Sequence, residues 1–196
     1  MQLKRIEGAL LAPIEAHPWE SQAVLNPGIV RDGDIVHMLY RAVEGDNYSA
    51  IGYAKLDRNG TILERNPQPV IGRTDQWEQR GCEDPRIVKF EGTYYIFYSA
   101  YDGTEVRVCA ASTTDFKHYT KHGIIIPDIW DKDALIFPER IHGKIVLIHR
   151  IEPDIQFAYF DTIEELLKPK PGFWQEYKAK LEEYVVMKPE FWWEES

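Results

Sequence analysis

The feature that most constrains this chain is that it repeats itself. Three segments line up: NPGIVRDGDIVHMLYRA from Asn26, DPRIVKFEGTYYIFYSA from Asp84 and FPERIHGKIVLIHRI from Phe137. In each, a proline (Pro27, Pro85, Pro138) precedes a short apolar step, a turn containing glycine (Gly33, Gly92, Gly143) and a strand of aromatic or aliphatic residues. A second strand follows in each unit, as SAIGYAKLD, EVRVCAAST and IQFAYFD, closed by a turn containing aspartate. Short Val/Ile/Tyr/Phe runs bounded by Gly, Asp and Asn are the signature of hairpins. A period of roughly fifty residues holds the four strands of a propeller blade. The expected fold is therefore all-β and propeller-like, with units at about 22–80, 81–131 and 132–196. A β-sandwich is the alternative, but sandwiches do not repeat this register of Pro, Gly and aromatic residues.

One segment departs from the pattern. Residues 161–184 are rich in Glu, Lys and Leu, with Asp161 or Thr162 as N-cap and Pro169 and Pro171 as interruptions, which predicts two short outer helices. Leu166, Leu167, Trp174, Tyr177 and Leu181 fall at helical spacing and predict packing or subunit contact rather than chemistry. Three blades cannot close a ring, and open blade faces and strand edges are normally avoided. The remaining blades are expected from another chain or from copies of this one, unless the chain is a fragment.

Composition narrows the function classes. A net charge of −9 with no basic run argues against nucleic acid as a partner. The 6 Trp and 11 Tyr suit either sugar stacking or an all-β core. No apolar stretch is long enough for a spanning helix, so no membrane partner is expected. The opening twenty residues carry no signal-peptide pattern, which predicts a cytoplasmic protein with Cys82 and Cys109 reduced. His17, His37, His118, His122, His142 and His149 show no metal-ligand spacing.

Charged residues on otherwise apolar strands must be paired or line a cavity. The polar residues at equivalent points are Asn26 and Arg41 in the first unit, Glu83, Asp84, Arg86 and Arg107 in the second, and Asp131, Lys132, Asp133, Glu139, His149 and Arg150 in the third. Two readings compete. In one, Arg41, Arg86, Asp84 and Glu83 form an ion network that locks adjacent blades. In the other, the acid Asp84 faces Arg107, Lys121, Lys132, His149 and Arg150, a cationic cradle suited to phosphate.

In their order, NPGIVRDGDIVHMLYRA, GCEDPRIVKFEGTYYIFYSAYDG, VRVCAASTTDFKHYTKHGIIIP and KDALIFPERIHGKIVLIHR with PDIQFAYFD resemble the mannoside phosphorylases of glycoside hydrolase family 130. The resemblance implies a five-bladed β-propeller of which about three blades are present. It implies an enzyme, a glycosyl-transferring phosphorylase with no cofactor, in which inorganic phosphate cleaves a β-mannoside to α-mannose 1-phosphate with inversion. Asp84 matches the general acid, which delivers its proton through a sugar hydroxyl. Arg107, Lys132 and His149 match phosphate ligands, Lys121 stands where relatives carry Arg, and Arg150 belongs with them. Asn26, Arg41, Glu83, Arg86 and Asp133 match residues that hold the sugar or order the acid. A single carboxylic acid needs an external nucleophile, and phosphate fills that role. The alternatives are a β-mannoside hydrolase on the same fold and a catalytically silent sugar-binding or assembly fragment. A homo-oligomer, or association with the missing blades, is expected.

Overall fold

The computed structural model describes residues 7–194; residues 1–6, part of the opening segment read for a signal peptide, and residues 195–196 lie outside the described residues. The chain is all-β apart from two short helices and a few 3-10 turns. Its strands form three successive antiparallel meanders. The first is β1 (Ala23–Asp32), β2 (Ile35–Glu44), β3 (Tyr48–Asp57) and β4 (Ile62–Arg65); the second is β5 (Gly81–Phe90), β6 (Thr93–Tyr101), β7 (Val106–Thr113) and β8 (Thr120–Ile126). The third is β9 (Lys132–Ile136), β10 (Ile145–Arg150), β11 (Ile155–Phe160) and β12 (Val185–Met187). A single parallel bridge, Ser49 to Gly81, links the first meander to the second. The tight turns between the first two strands of each meander use Gly33, Gly92 and Gly143, all at positive φ, the left-handed conformation that glycine adopts without steric cost.

Strand alternation builds the core between meanders. On β6, Tyr94, Ile96 and Tyr98 face the first meander, where they bury Leu39, Ile51 and Tyr53. Tyr95 and Phe97 point the other way, against Ile136, Ile145, Leu147 and Phe160 of the third. A strand covered on both faces reads as a continuous apolar run, as Tyr94–Tyr98 does within TYYIFYSAY. The predicted helices are present as α1 (Ile163–Leu167) and α2 (Phe173–Ala179), with Thr162 as N-cap accepting from the Glu165 N–H at 3.2 Å. Leu166, Trp174 and Tyr177 are buried, and the Trp174 indole donates to the Ile125 carbonyl at 2.7 Å.

Each meander carries the same two devices. The first is a bulge in its opening strand: Asn26-Pro27 lie opposite Tyr40, Asp84-Pro85 opposite Tyr98, and Asp133-Ala134 opposite His149. Asn26, Asp84 and Asp133 sit there at φ 45°, 50° and 59°; Asn and Asp are the non-glycine residues that tolerate this region best. The third repeat is therefore aligned by Asp133. Pro138, aligned with Pro27 and Pro85 on sequence, follows β9 in the connection to β10.

The second device is a fully buried carboxylate just before the opening strand, bound to the ring opposite the bulge. Tyr40 donates to Glu20 at 2.9 Å, Tyr98 to Glu78 at 2.8 Å, and His149 Nδ1 lies 2.6 Å from Asp131. Burial pushes both tyrosine phenols well up, keeping them as donors. A cation from the outer strand completes two of these braces: Arg65 on Glu20 and Lys121 on Glu78, each at 2.5 Å. The third carboxylate instead accepts from the Arg150 N–H at 3.1 Å.

The bulges of neighbouring meanders touch. A Cβ on Gly28 would stand 2.5 Å from the Pro85 carbonyl oxygen and 3.3 Å from the Ile87 nitrogen, both backbone atoms that cannot swing aside. Gly28→Ala is expected to destabilise the fold by about 1–3 kcal/mol, measured as a lowered urea midpoint with unchanged m-value.

Candidate active site

Because each bulge turns one polar side chain out of its strand at the same end of the meander, Asn26, Asp84 and Asp133 form the centre of one site. Asn26 Nδ2 donates to Asp84 Oδ1 at 2.8 Å, and Arg41 Nη1 faces the same oxygen at 3.6 Å. Among the described residues, Asp84 Oδ2 has no partner. Arg41 is held on its other sides, its Nη2 on Glu83 at 2.9 Å and its Nε on Ser49 Oγ at 2.9 Å. Across the site, Asp133 accepts from Arg86 at 3.0 Å and pairs with Arg150 at 3.2 Å. Glu152 faces Arg150 at 3.3 Å and Lys132 at 3.5 Å. The side chains of Asp84 and Asp133 are 24% and 30% exposed, so a ligand can reach both.

Four cations and four carboxylates thus run from the first meander to the third. The two readings of the charged residues converge in part: Arg41, Glu83 and Asp84 do contact one another, but Arg86 turns to Asp133 across the boundary between meanders. Beside the cluster a cavity of about 490 Å³ is walled by Ser49, Tyr48, Trp19, Arg73 and Gln79. Burial raises the Glu83 carboxyl above its usual 4.5, the Arg41 guanidinium opposes this without reversing it, and neighbouring Asp84 adds to the rise.

Of the five phosphate ligands expected, Lys132 and Arg150 belong to this cluster. Arg107 stands at the same end but two strands outward, opposite Ala100, which in turn faces Cys82, so about 10 Å from β5; its guanidinium pairs with Glu105 at 2.8 Å. Two expectations are corrected. Lys121 is spent on Thr74, Asp75 and Glu78 at 2.7, 2.8 and 2.5 Å. His149 is fully buried, with both ring nitrogens occupied by Asp131 and, at 2.9 Å, the Tyr177 hydroxyl. Both belong to braces: His149 is the counterpart of Tyr40 and Tyr98, and Lys121 of Arg65. Sequence reasoning missed Ser49 and Glu152. The only signal for Ser49 was a hydroxyl opening an otherwise apolar strand, and Glu152 was hidden in the turn before Pro153.

Comparison with known proteins adds the following. The family model described as beta-1,4-mannooligosaccharide phosphorylase matches residues 2–194. The chain is 34% identical over 192 residues to a 1,2-beta-oligomannan phosphorylase of Thermoanaerobacter sp. (strain X514), covering 89% of this chain and 64% of the relative. It is 36% identical over 165 residues to a beta-1,2-mannobiose phosphorylase of the same strain, covering 76% and 54%. A solved structure, reported under the finding that the GH130 family of mannoside phosphorylases contains glycoside hydrolases that target beta-1,2 mannosidic linkages in Candida mannan, superposes with a TM-score of 0.71 at 25% identity, over 80% of this chain and 55% of that one. The chain therefore spans between half and two thirds of the length of these relatives.

Two outcomes follow from the geometry. His149→Ala strips the Asp131 carboxylate of its ring partner in the core, a loss on the order of 3 kcal/mol, and the unfolding free energy should fall by that amount whether or not phosphate is present. Glu83 keeps its proton to higher pH in the folded state than in the unfolded one, so its stabilising contribution is complete below about pH 4.5 and is lost as pH rises through the raised value. Urea unfolding from pH 4 to pH 7 should show wild type losing ground steadily to Glu83→Gln.

Proposed function

The chain belongs to glycoside hydrolase family 130, and on that premise we propose that it carries the acid-bearing part of a phosphate-dependent β-mannoside phosphorylase. The three repeat units expected at about 22–80, 81–131 and 132–196 are read as blades of a five-bladed β-propeller, with its other blades lying outside them. The relatives are named as phosphorylases of β-1,2-linked mannosides, while the family description names a β-1,4 linkage. The proposal therefore covers a β-mannoside oligosaccharide and inorganic phosphate, and leaves the linkage to product analysis. No cofactor enters the scheme, and a cytoplasmic location fits a phosphorylated product that stays in the cell.

In this reaction a phosphate oxygen attacks the anomeric carbon while the bond from that carbon to the leaving oxygen breaks. The leaving oxygen takes a proton that originates on Asp84 and passes through a sugar hydroxyl. Attack from the opposite face gives α-mannose 1-phosphate with inversion. The observation that carries this reading is the state of Asp84: its Oδ1 is tied to Asn26 and Arg41, leaving Oδ2 as the oxygen open to the ligand. Positioned acids of this kind contribute about 10²–10⁴-fold. Arg86, Lys132 and Arg150 are the candidate phosphate ligands, and Arg107, paired with Glu105 two strands outward, would have to leave that pair to join them.

A hydrolase is the second reading, favoured by one observation: Arg41, Arg86, Lys132 and Arg150 are already matched by carboxylates, which leaves less net positive charge for an anion. A silent sugar-binding or assembly role is the third, motivated by the share of its relatives that the chain spans.

The test is release of mannose 1-phosphate from β-1,2-mannobiose by the completed assembly, with and without phosphate. Asp84→Asn is expected to lower it by at least 10²-fold; an unchanged rate removes Asp84 as the acid. Free mannose formed without phosphate points to the hydrolase.

A further inference from the structure

Arg41 carries the means to disable Asp84. A guanidinium presents its N–H groups along flat edges that match both oxygens of a carboxylate at once. Turned fully onto Asp84, Arg41 would take Oδ1 and Oδ2 together and close the oxygen left open to a ligand. It does not turn. Its nearest approach is Nη1 to Asp84 Oδ1 at 3.6 Å, while Nε is bonded to Ser49 Oγ and Nη2 to Glu83 Oε1, both at 2.9 Å.

The Ser49 hydroxyl is fixed by backbone from two meanders. Ser49 is 1% exposed, its N–H donates to the Arg80 carbonyl at 3.0 Å, and it forms the parallel bridge to Gly81. Gly81 in turn makes room for Glu83, because a Cβ there would stand 2.6 Å from Glu83 Oε1. Burial raises the Glu83 carboxyl; the Arg41 charge and, more weakly, a hydrogen bond from Ser49 oppose the rise. One hydroxyl thus accepts from Arg41 and donates to the carboxylate that holds the other edge of the same guanidinium.

The third meander shows the arrangement without the hydroxyl. Arg150 lies opposite Lys132, just before the bulge, as Arg41 lies opposite Leu25. The next strand, β11, opens on Ile155 where β3 opens on Tyr48-Ser49, and Arg150 Nε is buried with no hydrogen-bond partner among the described residues. Arg150 Nη2 rests on Asp133 Oδ2 at 3.2 Å and Arg86 Nη2 on Oδ1 at 3.0 Å, so both oxygens of that bulge acid are occupied. Asp84, beside the arginine whose Nε is held, keeps one oxygen open.

We propose, on the premise that Asp84 is the acid, that Ser49 is a positioning residue: by holding Arg41 Nε it stops the guanidinium from closing on Asp84 and keeps Oδ2 free for the ligand.

One arm of the test needs no turnover. In the full chain carrying isotope-labelled arginine, the Arg41 Nε resonance, assigned by its absence in Arg41→Lys, is followed with and without Asp84→Asn. Its response to Asp84→Asn should be about threefold or more larger in Ser49→Ala than in the wild-type background, because the freed edge now meets Asp84 and the two residues become coupled. In the completed assembly, Ser49→Ala should lower kcat for mannose 1-phosphate release about tenfold or more, with KM within about threefold. Ser49→Thr, which keeps the hydroxyl, should behave as wild type in both arms. Equal Nε responses in the two backgrounds overturn the proposal, even where Ser49→Ala lowers stability, and so does an unchanged kcat in an assembly whose wild type turns over. If Ser49→Ala does not fold, Ser49→Cys, similar in shape but a weak acceptor, is read by the same criteria. An enlarged Nε response in a chain whose assembly makes no mannose 1-phosphate upholds the positioning of Arg41 and removes the phosphorylase reading.

Discussion

The fold depends on placing an acid where water cannot reach it. Glu20, Glu78 and Asp131 are wholly buried, and a buried carboxylate is tolerated only when hydrogen bonds and opposite charge offset its desolvation. Each is therefore bound to a specific ring on the second strand of its meander, and the first two also to a cation on the outermost strand. One side chain thus ties the segment entering a meander to a strand inside it and to its far edge. Apolar contact alone tolerates sliding, because it is not directional. A carboxylate that must meet one hydroxyl does not, so the brace sets the register that burial leaves loose.

The brace and the site are two sides of one construction. Tyr40, Tyr98 and His149, which bind the buried acids, are also the residues opposite the bulges that carry Asn26, Asp84 and Asp133. Anchoring the ring inside holds the partner strand still, and the strained residue opposite is turned outward against a fixed support. Left-handed backbone at a non-glycine residue costs of the order of 1–3 kcal/mol and survives only where the surroundings over-determine it. Three such residues at equivalent positions, two of them hydrogen-bonded to each other across a meander boundary, show that this strain is a repeated property of the fold.

This construction explains which parts of the molecule were legible in the sequence. The repeat, the strands and the two helices were legible because burial imposes its period directly on residue type: β6 is apolar or aromatic from Tyr94 to Tyr98 without alternation because both its faces are covered. Asn26, Arg41, Glu83, Asp84, Lys132, Asp133 and Arg150 were legible as polar interruptions at one end of such strands. Lys121 and His149 were misread because a polar residue on an apolar strand gives the same signal whether it lines a cavity or binds a buried acid. The distinguishing signal was the Trp-acid pair ahead of each meander, which assigns those acids a partner within the chain. Pro138 misled for a related reason: proline marks the end of a strand ladder as readily as a bulge within one, and only the pairing of Asp133-Ala134 against His149 separates the two.

The charge balance around Asp84 bears on how a phosphate reaction would proceed here. Asp133 joins Arg86 and Arg150, and Glu152 joins Arg150 and Lys132, so the cations across the site from the acid are matched by carboxylates before any anion arrives. A dianion entering this cluster competes with those carboxylates, and Arg86 or Arg150 would exchange one acceptor for another at little net Coulombic gain. What phosphate offers beyond a carboxylate is more oxygens, able to engage both guanidinium forks and the lysine at once. Its binding would then draw together side chains from β5, β9 and β10, adding to the Arg86–Asp133 and Arg140–Glu91 pairs that already join these two meanders. In the proposed reaction the nucleophile would thereby help to order the site in which it reacts, beside an acid whose orientation is already set by Asn26 and Arg41.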